Sequence, residues 1–331
     1  MTNGEISSRR DRFRILALDG GGVRGAFTAS VLAELESRTG TRCAERFDLI
    51  AGTSTGGLLA IALALGHPAE RLCELYRHNG GAIFPLEQRM SRIRGLLRQF
   101  RTTKYAQTAL RAALTDVLGT ERLGAARTRL VIPAYDITTG RVFIFKTRHL
   151  DRFRFDIDIP AVEIAMCTSA APTFFPANLL PEHAEVAYID GGVWANNPVM
   201  VAITEAAGFL GKKLADLDVL SVGTTSPVPD FSDEIRAGLI GWGPRISSLF
   251  MTAQAQGAVA MAQVLCAKGF HRINAVVPND WMAMDSTRSV EKLIGAGRAE
   301  AVKDANYRVA QQRFFNDTPV EPFVAVEGSP S

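Results

Sequence analysis

The chain has 331 residues, enough to bury a full core as one large domain or two small ones. Apolar residues make up 47% and charged residues 21%, the balance of an ordinary soluble globular protein, and a net charge of +3 is too small to argue for a nucleic-acid polymer as partner. The four cysteines (Cys43, Cys73, Cys167, Cys266) are far apart and form no C-x-x-C pair, which argues for free thiols in a reducing compartment and against a disulfide framework or a metal site.

Taken in chain order, the opening "MTNGEISSRRDRF" is polar and lacks the apolar run of a signal peptide. "FRILAL" (13–18) reads as a buried strand, followed by three consecutive glycines and a helix over 25–38. "FDLIA" (47–51) is a second short strand, and after the turn "GTSTGG" comes an apolar helix over 57–66. Its run "LLAIALAL" (58–65) is too short to span a bilayer. Further strands are expected at 129–136, 141–147, 186–190 and 217–223, and helices at 104–118, 160–169, 198–210, 244–266 and 289–314. Apolar strands alternating with helices predict an α/β sandwich with a mostly parallel sheet. No Pro/Gly/Ser-rich linker divides the chain, so a single domain is expected over 13–315, with loose tails at 1–12 and 316–331. With no signal-peptide pattern read in that opening, a cytoplasmic location is the expectation.

Three loops that follow strands carry chemistry. The first, "DGGGVRG" (19–25), matches the G-x-G-x-x-G dinucleotide fingerprint through Gly20, Gly22 and Gly25. Its glycines let backbone N–H groups converge, and the following helix adds its positive end, so the loop suits an anion. A dinucleotide site also needs an acid at the far end of the second strand; Asp48 has the right spacing but sits at that strand's start. What stands at the far end is Gly52-Thr-Ser-Thr-Gly56, a G-x-S-x-G sequence between strand and helix. Small residues at 52 and 56 permit the sharp turn that exposes a Ser54 hydroxyl; the bland alternative is a serine N-cap. The third loop, Asp190-Gly191-Gly192, places a carboxylate at a strand end, either as a plain turn or as the base that Ser54 needs. Of the five histidines, four read as surface or cap residues. His271 in "GFHRIN" would complete the order serine, acid, histidine, but it lies in or before a strand, so a Ser54–Asp190 dyad is favoured over a Ser54–Asp190–His271 triad.

"DGGGVRG", "GTSTG" and "DGG" in this order resemble the patatin-like phospholipase family, as do "TSAAPTFFPA" (168–177), "NNPV" (196–199) and "LSVGT" (220–224). The resemblance covers about 13–224. It implies a three-layer α/β/α fold and lipid acyl hydrolysis by a serine–aspartate dyad, without cofactor. It also implies that Ser54 is the nucleophile, Asp190 the base, and the N–H groups of Gly20, Gly21, Gly22 and Arg24 the oxyanion-hole candidates. Gly25, Gly52, Gly56, Gly191 and Gly192 support these turns. "LALDGGGVRG", "VLAELE" (31–36) and "FDLIAGTSTGG" together resemble bacterial patatins of antiphage signalling, in which a cyclic nucleotide switches the phospholipase on. A constitutive lipase stays open as the alternative.

The expected partners are therefore a cyclic nucleotide activator and a phospholipid surface, met peripherally at the inner membrane. "RMSRIRGLLRQFRTTK" (89–104), with six cations and no acid, reads either as a basic amphipathic anchor for anionic lipid or as a solvated helix packed on the core. The apolar stretch 241–265 reads as part of an acyl pocket or lid, or as plain core, and 280–288 as a mobile flap. Two other classes compete with the hydrolase: a nucleotide-dependent oxidoreductase, which leaves two of the loops unexplained, and a silent lipid-binding module, which leaves Ser54 and Asp190 unexplained.

Overall fold

A computed structural model describes residues 12–83, 107–227, 246–278, 289–316 and 318–326. β1 (Phe13–Leu18) leads through the glycine turn into α1 (Gly25–Thr39), and β2 (Leu49–Gly52) leads into α2 (Thr55–Ala64) and α3 (Ala69–Ile83). After α4 (Gln107–Leu118) come β3 (Arg129–Asp136), β4 (Arg141–Lys146), α5 (Ala161–Ser169), β5 (Asn178–Leu180) and β6 (Val186–Asp190). α6 (Gly192–Ala195) and α7 (Val199–Thr204, prolonged by a π turn over Glu205–Phe209) precede β7 (Leu217–Val222) and the two-residue β8 (Ser226–Pro227). α8 (Ile246–Cys266) returns the chain to β9 (Phe270–Ile273), β10 (Val276–Val277), α9 (Val290–Val302) and α10 (Asp304–Val309).

The main sheet has the order β5-β6-β3-β2-β1-β7-β9, with β4 added on β3. β3, β2, β1, β7 and β9 are parallel, whereas β4, β6 and β5 are antiparallel to their neighbours. Side chains alternate across this sheet, as the two-residue repeat of a strand requires. Leu16, Leu18, Ile50, Leu130, Ile132, Leu220 and Val222 face a layer built from α1 to α5 and α9. Ile15, Ala17, Leu49, Ala51, Val131 and Val219 face α7 and α8. Both faces are covered, giving three layers, and this is why the central strands read as continuous apolar runs.

The sequence-based elements differ from the structure in a few places. The helix expected over 289–314 is broken at Lys303, which takes an extended conformation. Asn306 explains the break: its side-chain amide donates to the Glu300 carbonyl and carboxylate, both at 3.0 Å, taking over groups at the end of α9. The tail expected to be loose from 316 is tied down over 318–326, where Val320 donates to the Glu45 carbonyl and Val326 to that of Arg148. Leu249–Gly269, within and just beyond α8, is long and apolar enough to cross a membrane by length and composition, although the sequence suggested no such helix. The basic stretch 89–104 and the flap at 280–288 lie outside the described residues.

α1 and α9 cross so closely that a Cβ on Gly297 would collide with Ser30 Oγ and approach Phe27 O to 2.5 Å. Gly297→Leu should therefore lower stability by about 1–3 kcal/mol, read as a lower urea midpoint with unchanged slope.

Candidate active site

Ser54 stands at the junction of β2 and α2 with φ 56° and ψ −125°, a strained conformation for a serine. The turn is tight enough that a Cβ on Gly52 would strike the Gly56 carbonyl, and one on Gly56 would strike the Leu18 carbonyl. Two threonines hold it from outside: Thr53 Oγ1 donates to Ala195 O at 2.6 Å, and Ser54 N–H donates to Thr168 Oγ1 at 3.0 Å. The Ser54 hydroxyl makes no N-cap hydrogen bond to α2. The capping alternative is thereby removed, and Ser54 lines a cavity together with Asp190.

Asp190 reaches the serine from an unexpected direction. β6 is antiparallel to β3, pairing Asp190 with Ala134, so the carboxylate descends towards the elbow instead of rising beside it. Asp190 N–H donates to Ala170 O at 3.1 Å, and Gly192 N–H donates to Asp190 Oδ1 at 2.7 Å. A Cβ on Gly191 would strike the Pro133 carbonyl, so this turn too depends on glycine. Burial pushes the Asp190 carboxyl up to about 6, against the opposing effect of its hydrogen bonds with Ser54 and Gly192. Such a carboxylate is ionised at neutral pH yet close to the pH at which a base accepts a proton.

The glycine loop lies across the elbow, and the structure narrows its donors. Gly20 N–H is already given to Asn196 O at 2.9 Å, and Arg24 N–H to Gly21 O at 3.2 Å, so neither faces an oxyanion. Gly21 and Gly22, which line the cavity beside Ser54, are the remaining pair. Gly22 has φ 59°, a left-handed conformation that glycine takes without cost. Gly25 packs against Thr55 and Tyr76, where a Cβ would collide with both hydroxyls. The Arg24 guanidinium is partly buried behind the loop, donating to Gly21 O at 3.3 Å and Thr225 O at 3.2 Å. Burial lowers it to about 10, so it stays cationic and favours negative charge nearby.

Asp19 anchors this loop from a partner that the sequence reading missed. Arg272 on β9 grips it bidentately, with Nη1 at 2.8 Å from Oδ1, and also donates to Ser221 Oγ at 2.6 Å. Burial raises the Asp19 carboxyl, while Arg272 and Arg24 draw it back down. No local pattern announces this pair, because the two residues are 253 positions apart. The neighbouring His271 is bonded through Nε2 to Asn306 Oδ1 at 3.2 Å, and burial lowers its basicity. Among the described residues no histidine lines the cavity, and His271, the third member of the alternative triad, is not brought to Ser54 and Asp190. Asp48 binds Arg14 N–H at 2.8 Å, at the opposite end of β2 from the loop.

A cavity of about 350 Å³ opens over Ser54 and Asp190. Its walls are apolar: Leu58 from α2, Leu75 and Tyr76 from α3, Leu110 from α4, Phe174 and Phe175 after α5, and Phe250 and Met251 from α8. Within the stretch expected as pocket, lid or core, α8 thus contributes to the pocket. "TSAAPTFFPA" supplies much of the rim, including Ser169, whose buried hydroxyl has no partner among the described residues. The described residues contain no cluster of His, Cys, Asp and Glu able to hold a metal ion.

The model of patatin-like phospholipases matches residues 16–203, which contain the elbow, the glycine loop and Asp190. The chain belongs to the patatin-like phospholipase family. Two relatives extend over its whole length, each a cGAMP-activated phospholipase 32% identical to it. The one from Pseudomonas aeruginosa covers 95% of the chain and is itself covered over 92% of its length; for that from Vibrio cholerae the shares are 94% and 96%. Patatin-like protein 2 of Oryza sativa subsp. indica is 36% identical over 59% of the chain and 53% of its own length. Family membership makes the protein a lipid-hydrolysing esterase, and an apolar cavity over a serine–carboxylate pair suits that chemistry.

Two measurements probe the carboxylate. Fluorophosphonate labelling of Ser54 should slow about tenfold per pH unit below the Asp190 value of about 6, because a protonated Asp190 cannot accept the serine proton. Asp190→Asn should abolish labelling yet stabilise the fold. The raised carboxyl binds its proton more readily folded than unfolded, so its cost to stability grows as pH rises through about 6. The gain on substitution should be on the order of 1–3 kcal/mol at pH 7.5 and vanish towards pH 4, read as thermal midpoints.

Proposed function

We propose that the protein is a phospholipase A-type enzyme that cleaves fatty-acyl esters of membrane phospholipids through a Ser54–Asp190 dyad. The observation that carries this reading is that Ser54, held on its strained elbow, and a buried Asp190 line the same apolar cavity. Asp190 takes the Ser54 proton as the oxygen attacks the ester carbonyl, and the N–H groups of Gly21 and Gly22 receive the oxyanion. The intermediate collapses to an acyl-serine, with the proton passing from Asp190 to the departing lysolipid. Water deprotonated by Asp190 then attacks the acyl-serine, releasing the fatty acid and restoring the serine. The leucine, phenylalanine and methionine walls accommodate the acyl chain.

We propose in addition that a cyclic nucleotide switches the enzyme on and that it acts from the cytoplasm at the inner membrane. The full-length similarity to cGAMP-activated phospholipases supports the first part.

Lipid analysis of phosphatidylethanolamine and phosphatidylglycerol vesicles, with and without a panel of cyclic dinucleotides, tests both statements. Release of fatty acid should depend on one member of the panel and fall by about 10³-fold or more in Ser54→Ala and Asp190→Ala. His271→Ala should keep most of the activity, and a dead His271→Ala that folds normally would overturn the dyad. Activity indifferent to every nucleotide leaves a constitutive lipase.

A further inference from the structure

We infer that the outer face of α8 is the surface through which the protein docks on a phospholipid monolayer, an inference that rests on the phospholipase reading. Over its 21 residues, Ile246–Cys266, this helix carries no Asp, Glu, Lys or Arg. One face is spoken for: Ala258, Ala262 and Cys266, spaced four apart, are buried against the sheet side that also holds α7. On the opposite face the helical repeat brings Ile246, Phe250, Ala253, Gly257, Met261 and Val264 into a single stripe. Val264 is 82% exposed, Phe250 64% and Met261 51%. A helix on a water-facing surface carries charge on its outer side, and this one carries none.

The stripe is continuous with the cavity. Phe250 is both exposed and part of the cavity wall, next to Met251, so an apolar path leads from the outer face of α8 to the space above Ser54. A phospholipid must leave its monolayer along such a path if its acyl ester is to reach Ser54 without its chains crossing water. A second copy of the chain seated on the same stripe would cover Phe250 and with it the mouth of the cavity. A spanning role is excluded by the packing: the inner face is bound to the core, and the chain re-enters the sheet at Phe270, just after the helix ends. What remains is a helix lying in the plane of the interface with only its outer face in lipid.

The test uses the full chain. Met261→Glu/Val264→Glu changes two exposed positions that do not line the cavity, and the more conservative Met261→Gln/Val264→Gln guards against loss of folding. Binding to phosphatidylcholine vesicles should fall about tenfold or more in the glutamate variant, together with cleavage of vesicle phospholipid. Hydrolysis of a soluble p-nitrophenyl ester and the molar mass in solution should stay unchanged. In a third variant, Val264→Cys, an environment-sensitive dye should shift to the blue on adding vesicles; the four native thiols are buried and escape labelling. Vesicle binding equal to wild type in both double variants with no dye shift overturns the proposal, as does a change of molar mass with vesicle binding intact, which would make the stripe a contact between copies. A wild-type chain that binds vesicles through this face but leaves their phospholipid uncleaved under every nucleotide overturns the phospholipase reading alone.

Discussion

The site exists because two strands share one edge of a third. β2 pairs with β3 over Arg129–Val131 and then turns away, and β6 pairs with β3 over Ala134–Asp136 in the opposite direction. Since β4 occupies the other edge over Val131–Asp136, β2 and β6 meet end to end along the same side. Ser54 leaves the tip of one and Asp190 the tip of the other. A wholly parallel sheet would have brought both residues upward from the same level. The antiparallel element is what brings two separate turns to the floor of one cavity.

The surrounding interactions serve that junction in a consistent way. The amide of Gly20 and the carbonyl of Ala195 tie the glycine loop and the elbow to the segment that follows Asp190. Thr168 takes the Ser54 amide on one side and donates to Pro133 O at 2.6 Å on the other, so β3 also fixes Ser54. Three glycines, at 52, 56 and 191, are needed because backbone lies against backbone at each turn. The burial that lines the cavity with apolar side chains is also what raises the basicity of Asp190, through exclusion of water.

Much of this was legible in the sequence, and for identifiable reasons. β1, β3 and β6 coincide with their expected bounds because buried strands bracketed by glycine or polar turns leave sharp edges in an apolar pattern. Ser54 and Asp190 were legible because a nucleophile elbow and an Asp-Gly-Gly turn are local. The direction of β6 was not, since strand polarity leaves no trace in a short apolar run. Nor was the loss of Gly20 and Arg24 from the donor set, which is decided by Asn196 O and by the local turn closing on Gly21. Asp19–Arg272 and Thr168–Ser54 are contacts across hundreds of residues or between layers, and only the folded chain displays them.

The anchoring of Asp19 sets a mechanical property of the donor loop. Arg272 belongs to β9, the edge strand of the sheet, which among the described strands pairs only with β7. The Asp19 carboxylate, next to the glycine loop, is thus fastened to the margin of the sheet, while Ser54 is fastened near its middle. The two halves of the site are fastened at different depths of the sheet: Ser54 through β2 and β3, and the glycine loop through the interior strand β7, by Asp19 N–H to Val222 O, as well as through the margin, by Asp19 to Arg272.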